Sequence, residues 1–291
     1  MQKFDSNVLM IVLLALLGVY FILCRILTIP ISSAGVILIF TLFFSIIVVI
    51  HGWKTLGARE LFVFFIIAYG IPLLYEYTDA LGFGGWVGCT CQYSTLLGPK
   101  FFGKVPYVIP LVWSILLYCS FTMTNIIFNR LRTTPKSEEA VSLQWFFKIV
   151  GMGIIAGLIT AALDLIIDPV MVAMGAWSWS YAGYYYGIPL WNYEGWIEIT
   201  AVTFVLYSIY LQIIKKSQIY VGREKQSRYT LFVVVLYLAT LIIFVVFAVV
   251  EQVTYAIPWA VMTMGLFAVI VIIQFYLSYS KGGKEVVPAV E

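Results

Sequence analysis

Residues 162–196 read ALDLIIDPVMVAMGAWSWSYAGYYYGIPLWNYEGW, and the chain is organised around them. The stretch opens in an apolar run that sets Asp164 and Asp168 four residues apart, then meets Pro169. It continues through Trp177, Trp179 and Tyr184-Tyr185-Tyr186, and closes on Asn192, Glu194 and Trp196. Proline removes a backbone donor and breaks or kinks a helix. The expectation is therefore a membrane helix ending near Pro169, an interfacial aromatic segment, and a new helix from about residue 195. Few other parts of the chain place so many polar groups in so apolar a background, so this segment is expected to form one wall of any active site.

That background decides the fold class. Of the 291 residues, 63% are hydrophobic and 11% charged, with mean hydropathy +1.00, against roughly 25% charged in a soluble domain. So little polar surface cannot cover a water-soluble globule. The reading is an all-α integral membrane protein, with residues 1–291 forming a single polytopic domain in the lipid bilayer. A hydrocarbon core of about 30 Å takes roughly 20 apolar residues to cross. Eight runs meet that length: 8–29, 33–51, 58–75, 106–128, 144–166, 195–214, 229–250 and 257–278. The first is too long for a signal-peptide core and no small-residue cleavage site follows it, so it is expected to stay as a span. A long outer loop follows the third helix and the aromatic segment follows the fifth.

Lysines and arginines set the expected orientation, because cytoplasmic loops carry the excess. With both termini cytoplasmic, Lys3, Lys54, Arg59, Arg130, Arg132, Lys136, Lys215, Lys216, Arg223, Lys225, Arg228, Lys281 and Lys284 all fall inside. Only Lys100 and Lys104 fall in outer loops, while Arg25 and Lys148 lie within spans. The net charge of +3 is thus a topology signal and gives no reason to expect nucleic-acid binding. Cys24 and Cys119 read as packing residues, and Cys89-x-Cys91 lacks the companions a metal site needs. His51, the single histidine, is expected to be an interfacial polar residue.

Acidic residues gather at the other end. Glu76, Asp79, Asp164, Asp168, Glu194, Glu198 and Glu251 all fall at outer helix ends or in outer loops. Asp164 and Asp168 are spaced i,i+4 and share a helix face, as do Glu194 and Glu198. Asp164 is expected about one turn inside the slab, where an ionisable group is costly and functional roles are the default. Asp168 and Asn192 also suit helix caps. Tyrosine and tryptophan form interfacial belts, yet three consecutive tyrosines between Gly183 and Gly187 also suit a cavity lining. Gly151, Gly153 and Gly157 are small residues that let helices approach closely.

These residues resemble a family. D-L-x-x-D-P-x-M-V, then G-x-W-x-W, then G-x-Y-Y-G-I-P-x-x-N-x-x-G-W runs from Asp164 through Trp177, Trp179, Tyr185, Tyr186 and Asn192 to Trp196. A second block runs from Tyr93 through Leu97-Gly98-Pro99-Lys100 and Val105-Pro106 to Ile109-Pro110-Leu111 and Trp113. Together they are similar to the membrane-integrated carotenoid hydratases, the bisanhydrobacterioruberin and γ-carotene hydratase type of carotenoid biosynthesis protein. Where that family has Thr-Asp after the tyrosine, this chain has Ser94-Thr95.

The resemblance implies addition of water across the terminal double bond of an acyclic carotenoid or related polyene, with no cofactor and no metal. That chemistry needs an acid to protonate the alkene, a surface that tolerates a tertiary cation, and a positioned water. Burial and a carboxylate neighbour both favour the protonated form of a carboxylic acid. Asp164 is expected as the acid and Asp168 as its partner or the group orienting water, with Glu194 and Asn192 holding water. Aromatic faces stabilise cations, which assigns Tyr93, Trp113, Trp177, Trp179, Tyr185, Tyr186 and Trp196 to the substrate. Two other readings stand beside this one. A membrane prenyltransferase would use D-x-x-x-D for Mg²⁺ and diphosphate, and a non-catalytic carotenoid-binding, lipid-binding or transport protein would use the same groups without turnover.

Overall fold

The computed structural model describes residues 33–83, 91–128, 131–132, 142–214, 219–220 and 231–282. Its helices are α1 (Ser33–Thr55), α2 (Ala58–Ala80), α3 (Val108–Ile127), α4 (Leu143–Ala173), α5 (Leu190–Ile213), α6 (Phe232–Val250) and α7 (Ala256–Gly282). All seven are long and apolar enough to cross a membrane. The expected span at 8–29, together with Arg25, Cys24 and Cys89, lies outside the described residues.

Helix α3 is the axis of the bundle. From Trp113 to Ile126 every residue is buried, and α1, α2, α4, α6 and α7 all pack on it. A membrane helix covered by protein on every side can carry polar side chains, and α3 does: Ser114, Ser120, Thr122, Thr124 and Asn125 are all buried. Three of these bond to their own helix, with Ser114 Oγ, Ser120 Oγ and Asn125 Nδ2 donating to the carbonyls of Pro110, Leu117 and Phe121. His51 is a core group and not an interfacial one. It is fully buried, with Nδ1 2.6 Å from the Tyr118 hydroxyl, which also meets Thr55 Oγ1 at 2.9 Å.

The most extensive helix pair is α4 with α5, and glycine makes it possible. A β-carbon at position 157 would stand 2.7 Å from the Ile197 carbonyl oxygen and 2.8 Å from its Cα. One at 153 would meet the Ala201 backbone at 3.1 Å, whereas 151 has open space. Gly157→Ala is therefore expected to force α4 and α5 apart at a cost of about 1–3 kcal/mol. A lower Tm in detergent, with Gly151→Ala unchanged, checks this; equal Tm values would show that the glycine contact is slack.

The remaining elements are short strands that pair in twos: β1 (Cys91–Tyr93), β2 (Lys100–Phe101), β3 (Val105–Pro106), β4 (Leu131–Arg132), β5 (Trp177–Trp179) and β6 (Ile219–Tyr220). β2 pairs antiparallel with β3, and β4 parallel with β6. The pairing that matters is β1 with β5, antiparallel, with Tyr93 opposite Trp177 and Cys91 opposite Trp179. It joins the loop after α2 to the segment after α4. The long outer loop expected after the third helix is, in its described part, a strand, a 3-10 turn at Thr95–Leu97 and a hairpin.

Two boundaries differ from expectation. Helix α4 does not stop at Pro169 but runs to Ala173, and α5 starts at Leu190, after Pro189, five residues earlier than the hydropathy edge. Asp168 and Asn192 thus lie inside helices and cap neither.

Candidate active site

The continuation of α4 through Pro169 has a local cause. Proline has no N–H to give the carbonyl four residues back, which here belongs to Leu165. That carbonyl instead accepts a 2.7 Å hydrogen bond from the Tyr185 hydroxyl. Tyr185 can reach it because the tyrosine cluster is a tight hairpin. Ile188 N–H donates to the Tyr185 carbonyl at 2.9 Å, and Tyr186 and Gly187 at the turn have φ of 54° and 80°. Two consecutive positive φ values are the pattern of a type I′ turn, which favours glycine at the second position. The hairpin sends Tyr184 outward, fully exposed, and Tyr185 and Tyr186 inward.

Removing the Tyr185 hydroxyl strands a carbonyl that its own helix cannot satisfy. Tyr185→Phe is expected to cost about 1–3 kcal/mol. The check is a thermal melt of Tyr185→Phe with and without Pro169→Ala, which restores the missing N–H. Part of the lost Tm is expected to return in the double variant, and equal loss in both would sink the explanation.

With α4 intact to Ala173, its outermost turns present two carboxyls to α5. Asn192 Nδ2 donates to Asp164 Oδ2 at 2.8 Å and to Asp168 Oδ2 at 2.6 Å. An amide nitrogen has two hydrogens, so one side chain of α5 serves both aspartates of α4. Both carboxyls are buried, Asp164 completely and Asp168 at 2% exposure. Trp177 on β5 stands beside Asp168, while among the described residues Asp164 Oδ1 has no donor directed at it.

Asp168 forms part of the wall of a cavity of about 440 Å³. Across it stands Glu76 of α2, held by two aromatic donors. The Tyr93 hydroxyl donates to Oε2 at 2.6 Å and Trp113 Nε1 to Oε1 at 2.9 Å. Burial, with the Glu76 charge beside it, pushes the Tyr93 phenol well above its ordinary range, so it stays a donor. Asp79, one turn on, accepts from the Cys91 backbone N–H at 2.8 Å, and Glu198 accepts from the Tyr75 hydroxyl at 2.8 Å. The same cavity is lined by Trp179, Trp191, Glu194 and Trp196, and no lysine or arginine is among its lining residues. The Trp113 and Trp196 rings lie 4.2 Å apart, and Tyr93 meets Trp177 edge to face at 5.8 Å.

Of the residues expected at the site, Asp168, Glu194, Tyr93, Trp113, Trp177, Trp179, Asn192 and Trp196 line this cavity. Asp164 sits behind Asp168, bonded to the same amide and away from the wall. Tyr185 and Tyr186 are not brought to the wall. Tyr185 is spent on Leu165 and Tyr186 donates to the Val253 carbonyl at 3.3 Å, which makes both of them supports. Glu76, Asp79 and Glu198 are acids of the cavity that sequence reasoning left outside the site, although their place among the gathered acids was visible. Thr95, where the resembling family has aspartate, is exposed in the 3-10 turn and outside the cavity. Lys100 Nζ donates to the Tyr93 backbone carbonyl, which steadies the loop.

The sequence pattern of a family described as carotenoid biosynthesis protein matches residues 35–272, which takes in all or most of each helix just described. The chain belongs to the carotenoid biosynthesis protein family. Among curated relatives it is similar to a bisanhydrobacterioruberin hydratase of Haloarcula japonica, at 28% identity over 142 residues. That match takes in 48% of this chain and 41% of the relative, so the chain matches less than half of the relative's length. No solved structure matches the chain.

Proposed function

We propose that the protein is a carotenoid hydratase that adds water across the terminal double bond of an acyclic carotenoid. The observation carrying this reading is the aspartate pair on one amide, opening on an aromatic, carboxylate-lined cavity. Two carboxyls this close do not both ionise readily, and such pairs share a proton. Asp168 faces the cavity and is the proton donor, with Asp164 behind it keeping the pair singly protonated. The alkene electron pair takes that proton and forms a C–H bond, leaving a tertiary cation at the more substituted carbon. Trp113, Trp177 and Trp196 offer ring faces to it, worth about 2 kcal/mol each when desolvated. Water then forms the C–O bond, and its surplus proton passes to Glu76 or Glu194, returning through water to the aspartate pair. Nothing is oxidised or reduced, so these steps call on no redox partner. The distribution of lysine and arginine places the cavity at the outer face and both termini in the cytoplasm.

Prenyl transfer with a diphosphate fits the site less well. Both aspartates of D-x-x-x-D turn to Asn192, only Asp168 reaches the cavity, and the other acids there repel a diphosphate. Expression in a lycopene-producing bacterium, with pigments read by mass spectrometry, tests the proposal. The expected product is heavier by one water for each end that reacts, with a rate in membranes unchanged by EDTA. Unchanged pigment from folded protein counts against the hydratase, and a Mg²⁺-dependent gain of an isoprenyl unit moves the assignment to the transferase.

A further inference from the structure

A second cavity, of about 100 Å³, lies behind the first. The two share a wall made of Ile109, Val112 and Leu116 on α3, Ile167 on α4, and Trp177 on β5. Beyond that wall the chemistry changes completely. The first cavity is rimmed by carboxyls, whereas among the described residues the second is lined by aliphatic and aromatic side chains with two hydroxyls, those of Thr41 and Thr240. The Thr240 hydroxyl donates its proton to the Leu236 carbonyl of its own helix at 3.1 Å. Consecutive residues divide the roles, since Ile167 belongs to both cavities and Asp168 to the polar one alone. Trp177 straddles the seam, beside Asp168 and forming wall on both sides.

We infer that the two cavities are one elongated site, in which the apolar one holds the hydrocarbon chain just behind the reacting end of the substrate. This rests on the hydratase reading for the identity of the reacting end, and extends it by assigning a chain subsite between α1, α3, α4 and α6. A polyene end at Asp168 has to leave the polar cavity somewhere. Among the described residues the shared aliphatic wall is the side that offers it no charge to pass. An occupant with a charged or hydrogen-bonding head is not accommodated there, because burying an unpaired polar group costs several kcal/mol. Chain selectivity then belongs to Ile243 and Phe244 of α6, which line the apolar cavity and not the polar one.

The test uses the full chain carrying Asp168→Asn, purified from lycopene-producing cells, with retained pigment measured per mole of protein. Ile243→Trp fills the apolar cavity, and Ile242→Trp, on the exposed side of the same helix, is the control. Retained lycopene is expected to fall at least ~5-fold in Ile243→Trp relative to the control, as overpacking displaces the chain. Equal retention in the two variants overturns the inference. Should Ile243→Trp not fold, Thr240→Met narrows the same space from the preceding turn, and unchanged retention there is equally fatal. Bound phospholipid is measured in parallel. Loss of phospholipid with pigment unchanged assigns the cavity to membrane lipid and also overturns the inference. Failure of the two readings is distinguishable. A parent chain that binds lycopene through Ile243 yet yields no water adduct removes the reaction and keeps the subsite. A water adduct with no dependence on Ile243 keeps the reaction and removes the subsite.

Discussion

Asp168→Asn is expected to form the water adduct of an acyclic carotenoid about 10²–10⁴-fold more slowly than the parent, the usual contribution of a positioned general acid. The amide keeps the shape and still fills the buried position, so the protein is expected to fold and retain pigment. It cannot deliver a proton to carbon. Asp164→Asn acts through its neighbour, since Asp164 lies behind the wall and touches the cavity by way of Asn192 and Asp168. Its effect is expected to be smaller and to appear as a changed pH profile, because the remaining aspartate no longer shares its proton. The double variant is expected to be no slower than Asp168→Asn alone, as groups acting as one unit are not additive. Mass spectrometry of pigments, with rates taken across pH in membranes, checks all three. A rate that survives Asp168→Asn but is lost in Asp164→Asn would exchange the two roles.

Asn192→Leu is expected to be the most destabilising single change at the site. It keeps the branched shape but leaves two buried carboxyls without their shared donor, at about 1–3 kcal/mol for each unsatisfied group. Replacing both partners by apolar groups costs far less than replacing one, so Asp164→Leu introduced beside Asn192→Leu is expected to recover part of the loss. Thermal melts in detergent of the parent, the single and the double variant decide it. A single variant as stable as the parent would mean that the amide holds nothing together. The adduct assay is expected to fail in both variants, because the α4–α5 register that presents Asp168 is fixed through this amide.

The aromatic block shows where local reading stops. Trp177 and Trp179 alternate along a strand, so both could be assigned to one face from sequence, and both do line the cavity. The three tyrosines carried no such signal. Their directions follow from the turn at Tyr186 and Gly187, and the Tyr185 hydroxyl goes to a carbonyl freed by a proline sixteen residues earlier. That proline reads locally as a helix end. It is not one here, because a side chain from outside the helix replaces the missing hydrogen bond. Glu76 is a similar case. It reads as one more acid at a helix end, and becomes a site residue only when Trp113 and Tyr93 close on it from α3 and β1.

What the sequence determined by itself are the properties that hydropathy and spacing along one element control. These are a helical membrane protein, the placement of most spans, the shared face of Asp164 and Asp168, and the family motifs that carry the carotenoid assignment. Tertiary structure alone decided which groups meet: Asn192 with both aspartates, Glu76 with its two aromatic donors, β1 with β5, and the polar cavity with the apolar one behind it. The reason is physical. A hydrogen bond between elements depends on packing register to a fraction of an ångström, and that register is set by close contacts such as Gly157 against Ile197, which no periodicity along the chain encodes.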